Sequence, residues 1–311
     1  MTYRCASMAR PIDYIALIRP AHWIKNLFVF AGPLFGRRLA QPLPEALMAV
    51  WQALWAFIAF CAASSAAYVF NDIADAAYDR IHPLKSARPV AAGRIGVARA
   101  GAIAAILAIA ATAMAWSSSM NLAAIILGYM GLMAAYTVAL RKVMIIDCMV
   151  IALGFCLRAV AGAVAVDVAI SPWLLICTFA LCLFVAFGKR RAEIVQLGQD
   201  GQAFRQVLAG YSTGLLDHML DVSSGLAVIC FLIYAMDQRT STLFGTHAFV
   251  YTGPMVLYCV FRFSWAMRSG RYDGPVGFIL KDLPFQLGLI CWLVACGIIV
   301  YGGRSLGAWL R

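Results

Sequence analysis

A bundle of about nine membrane-spanning α-helices is the all-α fold class this chain predicts, on three observations. Hydrophobic residues make up 63% of the 311 residues and charged residues only 13%. A soluble globular domain carries about 25% charged residues. The apolar residues come in runs of roughly twenty, the length that crosses about 30 Å of hydrocarbon as a helix. These runs do not alternate apolar with polar, as the strands of a membrane β-barrel do. The composition excludes an ordinary water-soluble enzyme. It also excludes disorder, which requires low hydrophobicity.

Taken in order, the spans are expected at about 22–38, 46–70, 98–116, 121–140, 144–166, 171–188, 217–238, 246–266 and 284–302. The first is the weakest, because Pro33 interrupts it and Arg37 and Arg38 close it. Connections near 117–121, 167–171 and 239–245 are short, whereas 71–97, 189–216 and 267–283 are long and polar. With the N-terminus in the cytoplasm, 19 of the 25 Lys and Arg fall on cytoplasmic segments. That bias is the positive-inside pattern. An odd number of spans then sends the C-terminus outward. The chain therefore reads as a single integral membrane domain over 1–311 of the inner (plasma) membrane, with cytoplasmic loops at about 71–97 and 189–216.

The formal net charge of +11 is accounted for by this topology, and no nucleic-acid partner is expected. The ten Cys lie mostly in apolar runs, among them Cys61, Cys182 and Cys230, and read as small buried hydrophobes. The first 25 residues carry Arg4, Arg10, Arg19 and Lys25 with no apolar core before Arg19, which argues against a cleaved leader.

The chemistry concentrates after the second span. Asn71-Asp72-Ile-Ala-Asp75-Ala-Ala-Tyr-Asp79 places three carboxylates at i, i+3 and i+7 of a continuing helix, so they share one face. Like charges on one stripe repel, and a divalent cation that also holds a diphosphate would relieve them. Asp72, Asp75 and Asp79 are thus the candidate Mg²⁺ ligands. The same loop then turns basic with Lys85 and Arg88, which suits a polyphosphate ligand.

Asp147 and Arg158 lie in the fifth run, about three helical turns apart. Ionisable groups there are costly and line a polar cavity or make structural interactions within the bundle, and each of the two could be satisfied by groups elsewhere. Gly188-Lys189-Arg190-Arg191-Ala192-Glu193 follows the sixth run, with Lys189 and Glu193 at i, i+4. Downstream stand Arg205, Tyr211, Ser212, Asp217 and Asp221, the last two again on one face. They are either a second metal site or the polar start of the next span. Arg19-Pro20, Trp23 and Lys25-Asn26 precede the first span, as an interfacial anchor or with Lys25 directed at a phosphate.

These segments resemble the UbiA superfamily of intramembrane prenyltransferases, whose first motif is Asn-Asp-x-x-Asp-x-x-x-Asp. Asn71, Asp72, Asp75 and Asp79 match it in full. The segment Arg19-Pro20 to Trp23 and Lys25-Asn26, the run through Lys85, Arg88-Pro89 and Gly93, the segment Leu157-Arg158 to Gly162, Gly188-Lys189-Arg190 with Glu193, and Tyr211-Ser212 look most like the phosphoribosyl branch, which acts on decaprenyl phosphate. The resemblance implies transfer of 5-phosphoribosyl from phosphoribosyl diphosphate to a polyprenyl phosphate lipid, with Mg²⁺ and release of diphosphate. It implies catalytic roles for Asp72, Asp75, Lys189 and Arg190. It implies substrate contacts from Lys25, Asn71, Lys85, Arg88, Arg158, Glu193 and Tyr211, and a homo-oligomer, a trimer. The departure is the loop after the sixth run, where aromatic prenyltransferases carry a second acidic motif and this chain has Lys-Arg-Arg. The alternative is therefore an aromatic prenyltransferase using a prenyl diphosphate, with Asp217 and Asp221 as the second motif. A transporter fits less well, because its ionisable sites lie near the midplane.

Overall fold

The computed structural model describes residues 9–81, 85–197 and 206–309. Helix α1 (Pro11–Ile18) leads into a 3₁₀ segment (Pro20–Phe30) and the short α2 (Ala31–Phe35). There follow α3 (Leu43–Ala74), α4 (Ala76–Asp79), α5 (Val97–Ser118), α6 (Met120–Val138), α7 (Ile146–Ala165) and α8 (Pro172–Leu197). The chain closes with α9 (Thr213–Met236), α10 (Gln238–Phe244), α11 (Gly253–Ser269), α12 (Pro275–Lys281) and α13 (Leu283–Trp309). Among the described residues, seven helices are long and apolar enough to cross a membrane, namely α3, α5, α6, α7, α8, α9 and α13. An eighth span arises if α10 and the segment Ala248–Ser269, bent by 96°, count as one. That bent pair stands where the sequence predicts a plain helix at about 246–266.

The other difference is at about 22–38, where the 3₁₀ segment and α2 replace a regular span. Pro20 and Pro33 lack the amide proton that a continuous helix needs there. The segment is also packed backbone to backbone on α7. A Cβ added at Gly162 would lie 1.7 Å from the Val29 carbonyl oxygen, and one at Gly32 would lie 2.5 Å from the Ala163 nitrogen. Gly162→Ala is therefore expected to cost about 1–3 kcal/mol through overpacking. Thermal unfolding in detergent checks this against Gly128→Ala, whose added Cβ meets nothing within 4 Å.

The chain divides into two compact units. The first comprises the N-terminal part up to Pro33, Leu47–Arg141 and Leu157–Val168. Its core sets Phe60, Leu122, Ile126 and Tyr129 among alanines of α3 and α5. Small residues let helices approach closely where lipid supplies no hydrophobic drive. A second cluster, with Leu17, Val69, Val90, Ile95 and Ala100, ties α1 and the 80s–90s loop to the end of α3. Gly93 sits at φ +74°, and the turn it makes returns the Ile95 amide to the Pro89 carbonyl at 3.1 Å. Only glycine adopts that φ without strain. The turn buries Val90 and Ile95, and so fixes Arg88 immediately before it.

The second unit comprises Leu34–Ala46, Lys142–Cys156 and the chain from Ala169 onward. Its core joins Phe184 of α8, Leu216 and Leu220 of α9, Phe263 of α11 and Phe278 of α12. The Phe184–Phe263 and Phe278–Phe285 ring centroids are 4.7 Å apart.

Candidate active site

In the first unit, α3 continues through Asn71 and Asp72. The break at Asp75 is slight, because the Asp75 amide still donates to Asn71 O at 2.9 Å and the Asp79 amide to Asp75 O at 2.8 Å. Helical phase is preserved across it. Arg88 proves the shared face, since its Nη1 reaches Asp72 Oδ1 at 3.2 Å and Asp79 Oδ2 at 2.6 Å. Arg19 donates to the same Asp72 oxygen at 2.5 Å. Arg141 takes Asp75 in a two-pronged contact at 2.6 and 2.7 Å, and Asn71 Nδ2 donates to Asp75 at 3.1 Å. Each of the three carboxylates thus faces a guanidinium. The Asp75 hydrogen bonds push the Arg141 guanidinium above its ordinary pKa.

Arg19 is aimed by its backbone. It caps α1 at φ 52°, in the left-handed region that costs a non-glycine residue strain. It is steadied by its stacking over Tyr68 at 5.2 Å. Helix α1 is itself held by Asp13, which accepts from the Arg10 amide at 2.9 Å and from Arg94 Nε at 2.7 Å. Those two contacts, the Arg10 amide first, keep the Asp13 carboxyl below the usual carboxylate range.

Arg158 is buried in the same unit. Its Nε donates to Asn26 Oδ1 and its Nη2 to Tyr129 Oη, both at 2.7 Å. Asn26 follows the half-buried Lys25, and Trp23 Nε1 donates to Ser65 Oγ at 3.0 Å. Gly162, one turn beyond Arg158, allows the close approach that brings Asn26 into reach. Lys85 is half-buried, and its carbonyl receives the Arg88 amide at 2.9 Å.

In the second unit Arg190 and Asp147 lie at the centre of a buried network. Arg190 is 1% exposed and Asp147 0%. Arg190 Nε donates to Asp147 Oδ2 at 2.9 Å, and its Nη1 to Glu193 Oε2 at 2.5 Å. Tyr211 donates to Asp147 Oδ1 at 2.8 Å and accepts the Ile145 amide at 2.7 Å. Burial pushes the Tyr211 hydroxyl pKa up, so it stays a proton donor. Ile145, a β-branched residue at φ 70°, is strained, and the tyrosine secures its amide at the start of α7. Ser212 caps α9 by accepting the Leu215 amide at 3.1 Å. Lys189 is the exposed member, its side chain 60% accessible and its Nζ 3.9 Å from Glu193. Asp217 lies 3.2 Å from Arg191 and 3.5 Å from Arg268, and Asp221 pairs with Arg268.

The structure thus places Arg190 and Tyr211 differently from the sequence expectation of phosphate and substrate contact. Both are enclosed by protein partners, in a position to hold Asp147 and Glu193 in place. Arg158 is met by Asn26 and Tyr129 in the first unit, and Asp147 by Arg190 and Tyr211 in the second. Arg205 lies outside the described residues.

The chain matches the model of the UbiA prenyltransferase family over residues 28–276. It belongs to that family. Among its UbiA relatives is the decaprenyl-phosphate phosphoribosyltransferase of Mycolicibacterium smegmatis, 31% identical over 293 residues, covering 92% of each chain. The Corynebacterium glutamicum protein of the same name is 30% identical over 92% of this chain and 86% of its own. The UbiA fold is seen in the homologue from Archaeoglobus fulgidus solved with GPP and Mg²⁺, at TM-score 0.68 and 17% identity, over 93% of this chain and 99% of that one.

The UbiA acid motif offers only carboxylate oxygens, the donor chemistry that suits Mg²⁺. In the arrangement seen, however, no group of three or more His, Cys, Asp or Glu among the described residues is disposed to hold a metal ion. The arginines occupy the carboxylates. Sequence reasoning counted Arg19 and Arg141 toward topology and missed their place here. They lie 53 and 66 residues from their carboxylate partners, beyond any local spacing rule. The Arg19-Pro20 pair was the one signal, as part of the family resemblance.

Proposed function

We propose that this protein transfers the 5-phosphoribosyl group of phosphoribosyl diphosphate to a polyprenyl phosphate, with Mg²⁺, and releases diphosphate at the cytoplasmic face of the inner membrane. The observation that carries this proposal is the likeness to decaprenyl-phosphate phosphoribosyltransferase over 92% of both chains. Within that span stand Asn71, Asp72, Asp75 and Asp79, with a guanidinium on each carboxylate.

Asp72, Asp75 and Asp79 would hold Mg²⁺, which when bound neutralises charge on the departing diphosphate. Arg19, Arg88 and Arg141 supply fixed donors for diphosphate oxygens, where a guanidinium gives two directed hydrogen bonds. Stabilising the leaving group is the main task, because the acceptor phosphate is already an anion and needs no strong base. Lys189, with its side chain 60% exposed, offers a point charge to a phosphate. Glu193 restrains it, and Arg190 with Asp147 and Tyr211 restrains Glu193. Lys25 and Lys85, both half-buried, are assigned to the remaining phosphate contacts, while the buried Arg158 holds Asn26, next to Lys25, in place.

The test is purified protein in detergent with Mg²⁺, a polyprenyl phosphate and radiolabelled phosphoribosyl diphosphate. Label is expected in the organic phase, and only when Mg²⁺ is present. Turnover of a prenyl diphosphate with 4-hydroxybenzoate, without transfer from phosphoribosyl diphosphate, would overturn the proposal in favour of aromatic prenyl transfer.

A further inference from the structure

The acid motif is at once complete in charge and closed to a bare ion. Asp72, Asp75 and Asp79 contribute three negative charges, and Arg19, Arg88 and Arg141 contribute three positive ones at 2.5–3.2 Å. Asp72 and Asp79 are almost wholly buried, and the three arginines are no more than 28% exposed. In such surroundings an unbalanced charge is weakly screened and costly. A divalent cation entering alone would have to displace guanidiniums from their carboxylates and leave them without a counter-charge. A diphosphate entering alone would meet carboxylates beside every guanidinium. When both enter, the carboxylates turn to the metal and the guanidiniums to the diphosphate, so each buried charge of the protein keeps an opposite charge beside it and little net charge is added.

We propose that the acid motif is an arginine-latched exchange site, which admits the metal together with a diphosphate and rejects the metal alone. This rests on the proposed metal–diphosphate function of the motif and adds the order and coupling of binding. Arg141 and Arg88 are the latches. Arg141 holds Asp75 by two hydrogen bonds, and Arg88 bridges Asp72 and Asp79 across two helical turns. Coupling of this kind is reciprocal, so the diphosphate tightens metal binding by the same factor as the metal tightens diphosphate binding.

The experiment measures Mn²⁺ binding to detergent-purified protein by equilibrium dialysis and electron paramagnetic resonance, with and without inorganic diphosphate. Uptake by the Asp75→Asn protein in the same solutions is subtracted, which removes Mn²⁺ complexed by diphosphate in bulk. The wild type is expected to bind Mn²⁺ at least about tenfold more tightly with diphosphate than without it. Arg141→Gln is expected to raise affinity for Mn²⁺ alone and to shrink the diphosphate effect. Arg88→Gln is a second latch variant should the first fold poorly. Equal Mn²⁺ affinity in the wild type with and without diphosphate would overturn the latch while leaving the metal site standing. Unchanged affinity for Mn²⁺ alone in both arginine variants would do the same. Mn²⁺ uptake identical in wild type and Asp75→Asn with diphosphate present would overturn the metal site and the latch together.

Discussion

Asp72→Ala is expected to lower phosphoribosyl transfer by about 10²–10³-fold or more, the loss typical of removing one group that stabilises developing charge. Asp72 is 2% exposed and lies on the face it shares with Asp79. It is also the carboxylate that two arginines share, Arg19 at 2.5 Å and Arg88 at 3.2 Å. Removing it takes away one of the proposed metal ligands and leaves two half-buried guanidiniums with less counter-charge. The two effects separate by comparison with Asp72→Asn. Asparagine keeps an oxygen that can accept from one arginine, so it retains more of the thermal stability. It does not restore the negative charge, so transfer stays low. Initial rates of label transfer against Mg²⁺ concentration, with thermal unfolding of each variant, check both halves. A variant that transfers at near wild-type rate would remove Asp72 from the machinery.

The acid stripe was legible because it is local. Spacings of three and seven put Asp72, Asp75 and Asp79 on one helix face whatever surrounds them, and the helix continues through the break at Asp75. The long apolar runs were legible for the same reason. The segment at 22–38 was legible only in part: Pro33 marks it as the weakest span, but its packing rests on a contact between Val29 and Gly162, which are remote in sequence. The arginines that close the acid motif were hidden for a like reason. A cation before the first span and another between two spans look like topology signals until folding brings them to their partners. In Lys189-Arg190-Arg191 the sequence shows three equal charges. Successive helix residues point about 100° apart. The side chains are consequently 60%, 1% and 11% exposed, and three different functions become available to three adjacent cations.

That difference sets the other large effect. Arg190→Ala is expected to destabilise the protein by about 3–5 kcal/mol, the cost of leaving one partner of a buried ion pair uncompensated. Asp147 is wholly buried and would lose the Arg190 guanidinium 2.9 Å from its Oδ2. Glu193 would lose its 2.5 Å contact as well. The penalty belongs to keeping a carboxylate buried without this guanidinium and not to the lost attraction, so a second change can relieve it. Arg190→Met combined with Asp147→Asn restores a neutral, volume-matched pair and is expected to recover most of the stability, as buried ion pairs replaced whole often do. Lys189→Met is the contrast. Its side chain is mostly in solvent and its ion pair is long, so stability should shift by no more than about 0.5 kcal/mol, while transfer falls because a phosphate loses a point charge. Denaturant or thermal unfolding in detergent, with the transfer assay on the same preparations, separates the two residues. If Arg190→Ala were as stable as the wild type and only transfer fell, Arg190 would be a substrate contact after all. If the double variant recovered stability without transfer, the buried charges would be shown to matter for holding Glu193 and Lys189 in place.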